Sequence, residues 1–278
     1  MFASAFSSAV GNIFVALLVL AGFAIYTTLI RQISVRIAAP SLDEGPDASP
    51  PMRTFGLAEA CVALGLIAFL MLNIVASFER TSPVQLNSRD LIANLLLSLF
   101  VVLLIAVVLK LRGLDIDALG GFSKSSFKRA VSTAVVLLLA AAPLIGVAEG
   151  LTQTFFGGES SKQEIVDLFN NSQSMEQRVT IIVLAVVIAP ICEEFIFRFF
   201  IYGVLRRYFG VTVGLLFNAL LFAAAHTHLP SAAPLFVLGA CFTLAYEWSG
   251  SIIVSMAMHA LFNSAQLVFL AFPQLFQQ

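Results

Sequence analysis

Charged residues are scarce in this sequence: 15 Lys and Arg with 16 Asp and Glu make up only 11% of 278 residues, and the formal net charge is −1. No stripe of basic residues with interleaved aromatics occurs, which argues against a nucleic-acid surface, and no nucleic-acid partner is expected. Cysteine is nearly absent too. Cys61, Cys192 and Cys241 all lie inside apolar runs; they form neither a disulfide framework nor a CxxC metal knuckle and read as small buried hydrophobes. The helical zinc motif HExxH is missing, as are internal repeats and low-complexity tracts. The N-terminal MFASAFSSAV lacks the basic region of a signal peptide and leads into a long apolar run, so a first spanning helix is expected there.

What the chain does have is hydrocarbon. Apolar residues make up 59% of it, 26 of them Phe, and the mean hydropathy is +0.97, well outside soluble composition. They fall into runs of roughly 20, the length a helix needs to cross about 30 Å of lipid. Lipid offers the backbone no hydrogen bonds, and the runs are too long for barrel strands, so helices are the only spanning element that fits. The expected fold is all-α: a polytopic membrane helix bundle of about eight transmembrane helices, in the plasma membrane if the source is bacterial. The predicted spans are 9–30, 56–77, 90–111, 131–155, 179–204, 211–228, 233–249 and 252–272.

The connections differ in character. Loop one, Arg31 to Arg53, contains Ala-Pro, Gly-Pro and Ser-Pro-Pro steps and reads as irregular. In loop three, GLDIDALGGFSKSSFKRA predicts a short interfacial helix with Lys124, Lys128 and Arg129; loop four, SSKQEIVDLFNNSQSMEQR, reads as polar with an amphipathic turn or two. Loops one, three and five carry ten Lys and Arg, whereas loops two, four and six carry Arg80, Arg89, Lys162 and Arg178. Since basic loops stay cytoplasmic, both termini are expected to face away from the cytoplasm.

Ionisable groups inside spans cost several kcal/mol unless paired or facing a wet cavity, so each is a functional candidate. The first three spans hold almost none; the fifth holds Glu193, Glu194 and Arg198, the sixth ends at His226 and His228, and the eighth holds His259 and Asn263. In PICEEFIFRFF, Glu194 and Arg198 stand at i and i+4, where they can pair. Glu193 points about 100° away and is left free. Pro190 removes the amide that would reach the Val186 carbonyl and should kink the helix. His259 and Asn263 again share a face at i, i+4. Each feature has a bland reading: an ion pair locking two helices, His and Asn as polar glue, His226 near the membrane edge where a histidine is cheap, His228 simply solvated. Taken together, a Glu and a His can activate a water while a second His and an Asn stabilise an oxyanion, which is the chemistry of peptide-bond hydrolysis. Glu193, His226 and His259 are also legitimate zinc ligands, so a divalent metal stays open.

Glu193-Glu194-x-x-x-Arg198, then Phe222-x-x-x-His226, then His259-x-x-x-Asn263, in that order, resembles the CAAX-protease and bacteriocin-processing (CPBP, or Abi) family of intramembrane proteases. GACFTLAYEWSGSIIVSMAMHALFN looks like the segment leading into the family's last motif, and the resemblance spans roughly residues 130–270. It implies two parts, residues 1–130 as N-terminal transmembrane helices with their loops and 131–278 as the protease core. It further implies Glu193 and His226 as activators of water, His259 and Asn263 as the oxyanion site, and Glu194 with Arg198 as a brace. The implied partners are the bilayer and a membrane-embedded or lipidated protein or peptide, prenylated or small. The chain departs from the family in having Phe199 where Gly often follows the arginine, and the predicted spans set His226 nearer the outer edge than Glu193. Two other readings use the same residues: an inactive membrane scaffold of the family, and a proton-coupled transporter with Glu193 and the histidines as relay. Transporters commonly show inverted repeats, and here the polar residues crowd into one half.

Overall fold

The computed structural model describes residues 2–38, 54–78, 88–156, 172 and 174–271, and every regular element among them is helical. In order these are α1 (Phe2–Ala38), α2 (Leu57–Phe78), α3 (Ser88–Leu111), the short α4 (Ile116–Gly120) and α5 (Phe127–Phe156). A continuous helical run, Met175–Ala225, follows, then a 3₁₀ turn (Leu229–Ser231), α8 (Ala232–Ser249) and α9 (Ile252–Ala271). Seven of these helices are long and apolar enough to cross a membrane, with Met175–Ala225 counted as one. The protein is an integral, multi-pass all-α membrane protein.

At 51 residues, that run would extend about 76 Å if straight, far more than one crossing needs. Gly210 divides it, with φ 78° and ψ 173°, a backbone region open essentially to glycine alone. The arms are α6 (175–209) and α7 (211–225), and they fold back on each other. Phe197, thirteen residues before Gly210, meets Phe222, twelve after it, with ring centroids 5.5 Å apart. Gly214 lies against the Arg206 backbone so closely that a β-carbon would come within 2.9 Å of the Arg206 nitrogen. The glycines of GVTVG therefore serve one turn and one close approach within the bundle. Counted by arms, the apolar helices number eight.

Burial sorts the helices into a centre and a periphery. Only 6% of the residues in α2's apolar window are buried and 11% in α3's, against 61% around α8. In water such exposure would be untenable; in lipid it is the ordinary state of a peripheral helix. α8 packs against α1, α5, α7 and α9, while α9 also packs on α5 and α6. The C-terminus of α1, residues 54–56, loop three, the α8–α9 turn and the hairpin tip meet at one end. There the Arg36 guanidinium nitrogens donate to the Trp248 carbonyl at 3.3 Å, the Tyr246 hydroxyl donates to the Leu119 carbonyl at 3.1 Å, and Phe55 wedges edge-on against Phe199 and Phe200.

Several boundaries differ from the sequence reading. α1 runs to Ala38, because nothing in RQISVRIA breaks a helix, so Arg31 and Arg36 lie in its last turns rather than in a loop. The short helix of loop three is Ile116–Gly120, capped by the Asp115 carboxylate accepting from the Ala118 amide at 3.1 Å; Lys128 and Arg129 instead open α5. Cys61 is exposed on α2, while Cys192 and Cys241 are buried. Most of loop four lies outside the described residues.

Candidate active site

The site begins with a fault in α6. The Ala189 amide donates five residues back, to the Leu184 carbonyl, so Leu184–Ile188 is a π-helical turn. In that register the next donor would be residue 190, and Pro190 has no N–H. The Ala185 carbonyl is thus left without a main-chain donor, and the Asn263 side-chain amide supplies one at 2.8 Å. The expected loss falls at Ala185 rather than Val186 because the helix is wound wider than an α-helix. A second π-helical turn, Phe195–Ile201, follows the glutamates; such turns cluster at functional sites, where they re-aim side chains.

Between the two π turns stand Glu193 and Glu194. Glu194 and Arg198 are both fully buried, and the Arg198 guanidinium donates to Glu194 Oε1 at 2.8 Å. The same oxygen accepts from His259 Nδ1 at 2.9 Å. Arg198 also reaches the Gly239 carbonyl at 3.4 Å and lies over the rings of Phe222 (4.1 Å) and Phe242 (5.1 Å), a cation–π box for a fully buried ion. Phe242 stacks on the His259 imidazole at 5.0 Å. This ion pair is therefore more than a lock between helices, since its carboxylate also fixes the orientation of a histidine.

Glu193 is left over, as its position on the helix predicts. Its side chain is 30% exposed, yet Oε2 is buried and has no hydrogen-bond partner among the described residues; it lies 4.0 Å from His259 Nε2. His259 thus has one nitrogen on the paired glutamate and the other toward the free one.

His226 caps the end of α7. Its Nδ1 donates to the Phe222 carbonyl at 2.8 Å, which leaves the Nε2 lone pair of the neutral ring available. It stands sixteen residues beyond Gly210, and Glu193 seventeen before it, so the hairpin brings the two to a similar level. The predicted spans had separated them because they ended the fifth helix at 204 instead of 209. The Phe222 ring is edge-on to both imidazoles, with centroids 4.7 Å from His226 and 5.9 Å from His259. His228 is not simply solvated: it is partly buried and hydrogen-bonds the Ser231 hydroxyl at 2.7 Å. Between the two histidines Thr227 holds φ 49°, an uncommon conformation for a β-branched residue.

Glu193, His226 and His259 do not form a metal-ligand group. Among the described residues no three His, Cys, Asp or Glu side chains converge to hold an ion, and His259 Nδ1 is already committed to Glu194. As arranged, this set does not fit a resident metal.

Residues 175–265 match a family model, Rce1-like, described as type II CAAX prenyl endopeptidase Rce1-like. This segment is similar to that family. The match runs from the start of α6 into α9 and takes in Glu193, Glu194, Arg198, His226, His259 and Asn263, so the CAAX-protease resemblance drawn from the motifs stands. No curated protein and no solved structure matches the chain. At the level the match carries, residues 175–265 are similar to a peptidase family.

The sequence reading passed over Asn218, Gly239, Phe242 and Thr243. The Asn218 amide donates to Thr243 Oγ1 at 3.0 Å, and that hydroxyl donates to the Gly239 carbonyl at 2.8 Å, the carbonyl Arg198 also reaches. Asn218, an amide inside an apolar span, was the one legible signal among them.

Proposed function

We propose that this protein is an intramembrane endopeptidase that hydrolyses a peptide bond of a membrane-bound or membrane-associated substrate by a water activated at Glu193. One observation carries the reading: Glu193 keeps an unpartnered, buried carboxylate oxygen beside His259, a histidine that the buried Glu194–Arg198 pair holds in place. A carboxylate with nothing else to bond, in a site that excludes most water, is suited to take a proton from a water molecule. His226, whose Nε2 is available, is assigned to orient that water. As the water oxygen attacks the scissile carbonyl, its proton passes to Glu193 and the carbonyl oxygen becomes an oxyanion. His259, as imidazolium, donates to it from Nε2, and the Asn263 amide has a second hydrogen free for the same task, its first being engaged by Ala185. Collapse of the intermediate breaks the C–N bond, and the proton held by Glu193 leaves with the amine.

In this reading residues 131–278 form the protease core and 1–130 the surrounding helices. The substrate class is a lipidated, prenylated or small membrane peptide or protein, in keeping with the name of the matched family; in a bacterial source the plasma membrane is the site of action. The test is cleavage of membrane-anchored and prenylated reporter peptides by purified protein, wild type against Glu193→Gln, each with and without chelator. Cleavage by wild type alone supports the reading, and insensitivity to chelator supports water activation without a metal. Equal cleavage by Glu193→Gln rejects the mechanism, and cleavage by neither form favours a scaffold.

A further inference from the structure

Of the ten basic residues in loops one, three and five, all but Arg53 are among the described residues; loop one also carries Asp43, Glu44 and Asp47 outside them, and four described acidic residues share their end of the bundle. Each of those four is already engaged: Glu59 with Arg112, Asp115 with the Ala118 amide, Asp117 with Ser123, and Glu247 with Arg206. The cations converge on the C-terminus of α8. Arg36 donates to the Trp248 carbonyl, Arg206 pairs with Glu247 at 2.9 Å, and the Lys124 ammonium lies so close over Gly250 that a β-carbon there would collide with it. One carboxylate and the negative end of one helix dipole, about half a charge, face three full positive charges. Arg207, Lys128 and Arg129 stand exposed at the same end. Beside them are large exposed aromatics, Phe127 (76%), Tyr208 (48%) and Phe209 (63%), the residue type that settles at the headgroup level.

We infer that this end is a binding surface for anionic phospholipid headgroups, centred on Lys124, Arg36 and Arg206 around the α8 C-terminus. Charge complementarity selects the occupant: surplus cations ringed by interfacial aromatics match a phosphodiester held at the membrane surface. A lipid engaging there touches the Gly210 hairpin, the turn before α5 and the α8–α9 turn at once. The inference does not depend on peptidase activity.

The chain's only tryptophan provides the readout. Trp248 lies inside the patch, its indole N–H donating to Gln32 at 2.6 Å. With the full-length protein in vesicles, quenching of Trp248 fluorescence by brominated phosphatidylglycerol is compared with quenching by brominated phosphatidylcholine. The expected result is a preference for the anionic lipid of roughly fivefold for each cation engaged, the factor equivalent to about 1 kcal/mol. It should weaken as salt is raised and fall toward parity in Lys124→Gln combined with Arg207→Gln. Equal quenching by the two lipids in wild type, where no folding defect can intervene, overturns the inference, as does a preference that neither salt nor the substitutions change.

Discussion

At the scale of single residues, Glu193 and Glu194 differ by one position and have opposite fates. Glu194 and Arg198 are both buried, and Glu194 shares one oxygen between Arg198 and His259. Desolvating two charges is expensive, and their attraction repays it only while both are present. Arg198→Ala leaves the Glu194 carboxylate buried without its cation and is expected to cost about 3–5 kcal/mol. It should show as a clear loss of thermal stability in detergent, read by intrinsic fluorescence. Glu193→Gln should leave that transition nearly unchanged, because Glu193 makes no ion pair closer than its 4.0 Å approach to His259. If the two substitutions destabilise equally, the division of labour between the glutamates is wrong. The i, i+4 spacing makes the Glu194–Arg198 pair legible in sequence. Phe222 and Phe242 around Arg198 are not, because Phe is common in this chain and only packing says which ones meet a cation.

At the scale of elements, the hairpin of α6 and α7 decides whether a site exists at all. It aligns Glu193 with His226, and its turn rests on Gly210. A β-carbon there would meet nothing within 4 Å, so the cost of Gly210→Ala is purely conformational. It is expected to be about 1–3 kcal/mol, the strain of a non-glycine residue in that region, and to lower thermal stability by that amount. Gly214→Leu should do more, since its side chain would strike the Arg206 backbone and part the two arms. Equal stability of Gly210→Ala and wild type would mean that the turn does not need glycine. The π-helical turn above the glutamates has a related logic. Pro190 creates an orphan carbonyl, and α9 supplies Asn263 from across the bundle. Pro190 announces the fault in the sequence, but not its register or its remedy.

At the scale of the whole molecule, the bundle has a basic end and a site roughly half a helix hairpin away from it. The end of α1, residues 54–56, loop three, the Gly210 tip and the α8–α9 turn lie together, as the contacts of Arg36 with Trp248, Leu119 with Tyr246 and Phe55 with Phe199 require. They must then share one side of the membrane. A thiol placed at Ser125, in the exposed turn before α5, should be labelled from the cytoplasmic side, and a reporter fused after Gln278 should be active only on the opposite side. A cytoplasmic signal from Gln278 would invert the topology, and with it the leaflet that the basic patch faces.

Composition alone determined that this chain lives in lipid as α-helices, because hydrocarbon leaves the backbone no other way to bond, and run length set the number of crossings near eight. The order and spacing of the charged and polar residues in the last helices carried the CAAX-protease resemblance. Helix periodicity also separated the paired glutamate from the free one, since that depends only on angles along a single helix. The tertiary structure decided what no one-dimensional pattern contains: that the fifth and sixth spans are one helical run turned at Gly210, that His259 bridges toward both glutamates, and that cations from α1, loop three and α6 meet at one helix end. These are distances between residues far apart in sequence, and they exist only once the helices have packed.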